Sequence, residues 1–86
     1  MKLHRQPQFD RDYQKLPIKI KTKLHRQLKA ISKSLRHPSL HAKKIQGHSD
    51  IWEARVDRFY RFTFKIIADI IYLRRVGTHD KTLTNP

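Results

Sequence analysis

The hydrophobic period of this chain changes once, near Pro38, and that change constrains its architecture more than any other feature. Before it, Ile20, Leu24, Leu28, Ile31 and Leu35 recur at steps of four, four, three and four, a single apolar stripe along a helix. Lys19, Lys21, Lys23, Arg26, Lys29 and Lys33 cover the remaining faces. Pro38 cannot continue the helix, so it ends at Arg36-His37. Beyond it the period is two. Trp52, Ala54 and Val56 alternate with Glu53 and Arg55, and Tyr60, Phe62 and Phe64 alternate with Arg61, Thr63 and Lys65.

The flanking segments extend this pattern. Lys2 to Gln6 reads as a short first strand, and Pro7 suits the first position of a helix carrying Phe9, Tyr13 and Leu16 on one face. Asp10 and Asp12 favour its early turns, and Pro17 ends it and opens the next. Lys43-Lys44-Ile45 and Ile51 to Val56 read as one strand interrupted by a loop at Gly47 to Asp50. Ala68-Asp69 is a turn, Ile70 to Val76 a last strand, and Gly77 a place for a kink or bulge. Asp80 to Pro86 is too short for another substantial helix. The expected order is β-α-α-β-β-β, an α+β fold with a helical hairpin on one face of a small antiparallel sheet, as one domain over residues 1–86.

Length and charge narrow the function. Eighty-six residues give a thin core and no deep internal pocket, so a site is expected in an open groove, which suits polymers. Twenty Lys and Arg oppose seven Asp and Glu, a net charge of +13 that attracts polyanions. No cysteine is present, which excludes disulfides, cysteine-ligated zinc and a thiol nucleophile. His37, His41 and His48 lack a carboxylate cluster to complete a metal site. No signal peptide and no spanning segment is read, so the expectation is a soluble, cytoplasmic protein without cofactor or membrane partner.

One constellation carries chemistry. Arg55 and Arg61 stand six residues apart on successive strands, and His79 follows eighteen residues later on a third. Such strands can gather the three on one side of a sheet, where a phosphodiester could be held and protonated. Arginine offers a planar fork to phosphate, and histidine titrates near working pH.

The same residues fall into a longer pattern. Phe9, Tyr13, Leu16 and Pro17, then His37-Pro38-Ser39-Leu40, Lys43-Lys44-Ile45 with Gly47, Trp52-Glu53-Ala54-Arg55, Tyr60-Arg61 and Val76-Gly77-Thr78-His79-Asp80 follow in order. In that order and spacing the chain resembles the RelE/ParE superfamily of toxins from prokaryotic type II toxin–antitoxin systems. The resemblance implies the RelE-like fold and a metal-independent endoribonuclease that cuts messenger RNA in the ribosomal A site. It implies catalytic roles for Arg61, Arg55 and His79, with His79 the general acid and Arg61 the transition-state stabiliser. Lys43 and Lys44 flank the expected site and, with Arg58, Arg75 and Lys81, are expected to grip RNA. Implied partners are a cognate antitoxin with an acidic, partly disordered segment, and the ribosome through 16S ribosomal RNA, to which the basic second helix would dock. Two departures stand out. Trp52 and Ala54 occupy the places of lysines in the RelE branch, and Asp80 that of a tyrosine in some members. Glu53 is a candidate base and equally a candidate partner for an arginine. The alternatives are a ParE-type toxin that poisons gyrase without cutting RNA, and a non-catalytic basic RNA-binding module.

Overall fold

The computed structural model describes residues 1–86. Strand β1 (Lys2–Arg5) leads into helices α1 (Pro7–Gln14) and α2 (Ile18–Lys33), and a single 3₁₀ turn follows at Pro38–Leu40. The chain continues as β2 (Lys43–Lys44), β3 (Trp52–Arg55), β4 (Tyr60–Ile67), β5 (Ile70–Thr78) and a short helix α3 (His79–Thr84). The five strands form one sheet in the order β1-β5-β4-β3-β2. No helix is long and apolar enough to cross a membrane.

The change of period builds two layers. Ile20, Leu24 and Ile31 of α2 and Phe9 of α1 meet Ala54, Phe62, Phe64, Ile71, Leu73 and Val76 of the sheet in one buried cluster. Trp52 belongs to this side, stacked on Phe64 at 6.1 Å between ring centroids. The opposite sheet face carries Glu53, Arg55, Arg61 and Thr63.

Four expectations need correction. The sheet is mixed, because β1 pairs parallel with β5, Leu3 opposite Ile71; only the β2-to-β5 pairs are antiparallel. Lys43-Lys44 and Ile51–Val56 are two elements, since the chain reverses at Gly47, whose φ is +84°, and Lys43 comes to lie opposite Glu53. Gly77 is a regular strand residue opposite Arg61; the sheet's irregularity lies where Thr63 pairs with Arg75 and Phe64 with Leu73, leaving Arg74 as the extra residue. The terminal segment does form a helix. Thr82 is buried against the sheet, and Thr63 Oγ1 donates to the Pro86 carbonyl oxygen at 2.9 Å.

Gln27 ties the layers together from the flank of the apolar stripe. Its Nε2 donates to the carbonyls of Arg55 at 2.8 Å and Ser39 at 3.0 Å, and its Oε1 accepts from Ser39 Oγ at 3.1 Å. Gln27→Ala strips three bonds from a buried position. The expected cost is about 1–3 kcal/mol, read as a melting-point drop of about 4–8 °C per kcal/mol in a chain of this size. An unchanged melting point would show that water substitutes for the amide.

Candidate active site

Antiparallel pairing places Arg55 of β3 directly opposite Arg61 of β4, and Arg61 opposite Gly77 of β5. Two cations facing each other across a ladder destabilise a sheet. Local breaches of this kind are expected at functional or strained places in a fold. His79 lies just beyond this row. It is the first residue of α3, not a strand residue as the sequence suggested, and its N–H donates to the Phe59 carbonyl at 3.0 Å.

The three residues meet in one open groove of about 360 Å³, lined by His41, Ala42, Lys43, Glu53, Arg55, Arg61 and His79. Each is held differently. Arg61 Nη1 donates to the carbonyls of Asp57 at 2.7 Å, Tyr60 at 3.0 Å and Arg58 at 3.3 Å. That leaves the other side of its fork for an anion. Arg55 is half-buried, its carbonyl held by Gln27 and its Nε covered without a hydrogen-bond partner. Glu53 is more deeply covered, its side chain 5% exposed, with Oε1 3.6 Å from Lys43 Nζ and Oε2 unpartnered. The ion partner of Glu53 is thus a lysine and not the arginine expected from the sequence. These are the chain's two buried side-chain polar atoms without a partner, two residues apart on one strand face. An unpartnered buried polar atom costs about 1–3 kcal/mol in ordinary protein interior, and both lie beside the groove.

The expected RNA-gripping residues divide. Lys43 lines the groove, and Arg58 lines the adjoining depression beside His79. Lys44, one residue on, belongs to the other face, its Nζ 5.6 Å from the Trp52 ring centroid. Arg75 is structural: its Nε donates to Asp12 Oδ2 at 2.7 Å and its Nη1 to the Asn85 carbonyl at 3.1 Å, binding β5 to α1 and the terminal segment. Asp12 also accepts from the Val76 amide at 3.2 Å, so this pair is committed to holding the fold. Lys81 lies in a separate depression with Asp12, Lys15 and Arg75.

Two site residues escaped the sequence reading. His41 enters the groove because it caps the 3₁₀ turn in the left-handed region, φ 46°, a conformation in which histidine is enriched. Its neighbour His37 does not join it, since its Nδ1 accepts from the Ser39 amide at 3.3 Å. Asp57 never touches the groove yet shapes it. Its Oδ1 accepts from the amides of Phe59 and Tyr60, both at 2.9 Å, and Oδ2 sits 3.4 Å from Lys23 Nζ. The turn so formed presents the carbonyls that hold Arg61. An aspartate at the head of a turn was the available signal.

Burial pushes the Asp57 carboxyl up, but the Tyr60 and Phe59 amides and Lys23 outweigh it and hold the group below its ordinary value. A depressed folded pKa adds stability that is complete above the unfolded value, about 3.9, and is lost as pH falls through the folded one. Urea midpoints measured across that acid window should therefore fall less steeply for Asp57→Asn than for the wild type. Parallel curves would remove this role.

A wider surface depression, about 600 Å³, lies elsewhere, between α2 and the end of β3, with Lys23, Arg26, Lys29, Lys33 and Arg55 on its walls. It shares Arg55 with the groove but contains neither Arg61 nor His79. It carries positive charge, and its one histidine, His37, has its Nδ1 bonded to Ser39.

No protein-family model matches the sequence, and no curated protein aligns with it significantly. Solved structures do. The RelE toxin in the RelB–RelE antitoxin–toxin complex from Methanococcus jannaschii superposes with a TM-score of 0.78 at 21% identity, covering 96% of this chain and 99% of that one. YafQ from E. coli strain BL21(DE3) gives 0.78 at 19%, covering 93% and 94%. A YoeB/ParE toxin from Agrobacterium tumefaciens gives 0.77 at 15%, covering 92% and 99%. The chain has the fold of these toxins. This RelE/ParE-type fold, with its helices on one face of a small sheet, is the one the sequence motifs implied, and the likeness extends over nearly the whole chain.

Proposed function

We propose that the chain is the toxin of a type II toxin–antitoxin pair and a metal-independent endoribonuclease acting on messenger RNA in the ribosomal A site. The observation that carries this reading is the gathering of Arg55, Arg61 and His79 in one basic groove with a second histidine, His41, on its wall. RNA supplies its own nucleophile. The 2′-hydroxyl attacks the adjacent phosphorus, the bond to the 5′-oxygen breaks, and a 2′,3′-cyclic phosphate and a free 5′-hydroxyl result. The protein has three tasks: to take the 2′-proton, to stabilise the phosphorane and to protonate the departing oxygen.

Arg61 and Arg55, paired on neighbouring strands at the groove, hold the phosphoryl oxygens. His79 donates the proton to the 5′-oxygen. For the base we assign His41, which is exposed at the groove; Glu53, nearly buried under Lys43, is the second candidate. The cationic depression along α2 supplies the surface for 16S ribosomal RNA, or for an acidic antitoxin that would neutralise it. The RelE and YafQ structures include complexes with the antitoxins RelB and DinJ, which supports a protein partner of that kind here.

Mapping messenger RNA ends by primer extension after brief induction tests the reading. New ends within coding frames, absent from an uninduced control, are expected. One structural neighbour is described as a YoeB/ParE toxin, which keeps a gyrase-directed alternative in view. Growth arrest with broken DNA and intact messages would establish that alternative instead.

A further inference from the structure

The turn joining β3 to β4 ends on Phe59, the residue before β4, which is 64% exposed. Its backbone is fixed on both sides, the N–H donating to Asp57 Oδ1 at 2.9 Å and the carbonyl accepting from the His79 N–H at 3.0 Å. The Arg58 guanidinium carbon stands 5.6 Å from the ring centroid. A single exposed aromatic on a protein surface is ordinary. This one is distinguished by its neighbours: the ring lines a depression of about 310 Å³ together with Arg58, Arg61, Thr78, His79 and Asp80. Arg61 and His79 also line the catalytic groove. Two depressions therefore adjoin across the pair assigned to the scissile phosphate. One holds His41, Lys43 and Glu53; the other holds Phe59 and Arg58.

That division has a direction. The nucleotide that supplies the 2′-hydroxyl needs the proton acceptor, so it lies on the side of His41 and Glu53. The nucleotide whose 5′-oxygen departs must lie on the other side of His79, where the Phe59 depression is. We propose that Phe59, flanked by Arg58, is a stacking platform for the nucleobase immediately 3′ of the cleaved phosphate. This rests on the ribonuclease reading and adds a base subsite to it. Every base has a π face, so the platform tolerates any base there, and the fixed turn backbone lets the ring be placed at little entropic cost. Arg58 and Arg61 supply the charge that keeps the adjoining phosphates close, against the single carboxylate of Asp80.

The test is a cycle between protein and substrate. Single-turnover cleavage is measured on ribosomes programmed with a message whose cleavage position has been mapped, intact or with an abasic residue immediately 3′ of the cut. In the wild type the abasic residue is expected to slow cleavage about 5- to 150-fold, the scale of one base–aromatic stack. Phe59→Ala should slow cleavage of the intact message by a similar factor and show no further loss on the abasic one. Phe59→Trp should restore both the rate and the sensitivity. An abasic penalty equal in wild type and Phe59→Ala overturns the platform and leaves the nuclease standing. A wild type that cuts neither message overturns the ribonuclease reading, and the platform with it. Unchanged melting points for the Phe59 variants are expected from its exposure, so lost folding cannot mimic the result.

Discussion

His79→Ala is expected to slow single-turnover cleavage by about 10²–10⁴-fold, the usual contribution of a positioned general acid, while the variant still folds and binds. Folding should survive because the link from this residue to the turn runs through its backbone N–H to Phe59, which alanine keeps. The imidazole itself lines two depressions and is half-buried. A loss of this size would also follow from a misplaced substrate, so the rate alone does not identify the role. Replacing the bridging 5′-oxygen of the scissile bond by sulfur does. A thiolate leaves without protonation, so the modified message should be cut by His79→Ala at nearly the wild-type rate. If the sulfur substrate is cut as slowly as the natural one, His79 acts on binding or on the 2′-proton and the assignment moves to His41.

His79 also illustrates what could be read from the chain and what could not. Its nearness to Arg55 and Arg61 in one groove was legible from spacing, because the period-two strands carrying the arginines and the one that ends just before His79 follow one another in the sheet. Its backbone state was not. Six residues from His79 to Thr84 fold as a helix only because Thr82 buries itself on the sheet and Thr63 engages the Pro86 carbonyl, and contacts of that range leave no periodic trace. The parallel pairing of β1 is similar. Nothing within Lys2–Arg5 distinguishes an edge strand beside β5 from one beside β2. Arg75 shows the converse difficulty, a basic residue at the expected place whose charge is consumed by Asp12, sixty-three positions earlier. The turn residues were legible in chemistry but not in consequence. An aspartate at a turn head is common, and only the fold reveals that the carbonyls of this turn converge on Arg61.

Those carbonyls connect the site's rigidity with its chemistry. Most of the basic side chains are exposed, and exposed cations attract RNA without orienting it. In the groove the cations are held: Lys43 against Glu53, the Arg55 backbone by Gln27, and Arg61 by three carbonyls of one turn. Fixed charge is what distinguishes catalysis from mere attraction, because an oriented donor need not reorganise as the phosphorane forms.

Arg61 puts that distinction to the test, through a substitution that keeps the charge. Arg61→Ala should lower the rate constant by about 10²–10³-fold, as expected for removal of one preorganised donor to a developing oxyanion. Lysine at the same place retains the positive charge but has one nitrogen where arginine has three. An ammonium that satisfies the turn carbonyls turns its protons away from the groove, and one that reaches the phosphate abandons the carbonyls. Arg61→Lys is therefore expected to lose nearly as much rate as Arg61→Ala while keeping more of the affinity and more of its salt dependence. Rates at saturating programmed ribosomes, compared with binding across a salt series, separate the two effects. Lysine restoring the rate would mean that charge alone suffices and that the carbonyl cradle serves the turn and not the reaction. Lysine failing in rate but not in binding would place the function of Arg61 in its geometry. The turn built by Asp57 would then be part of the catalytic apparatus, and Asp57→Ala should reproduce a share of the Arg61 defect without contacting the substrate.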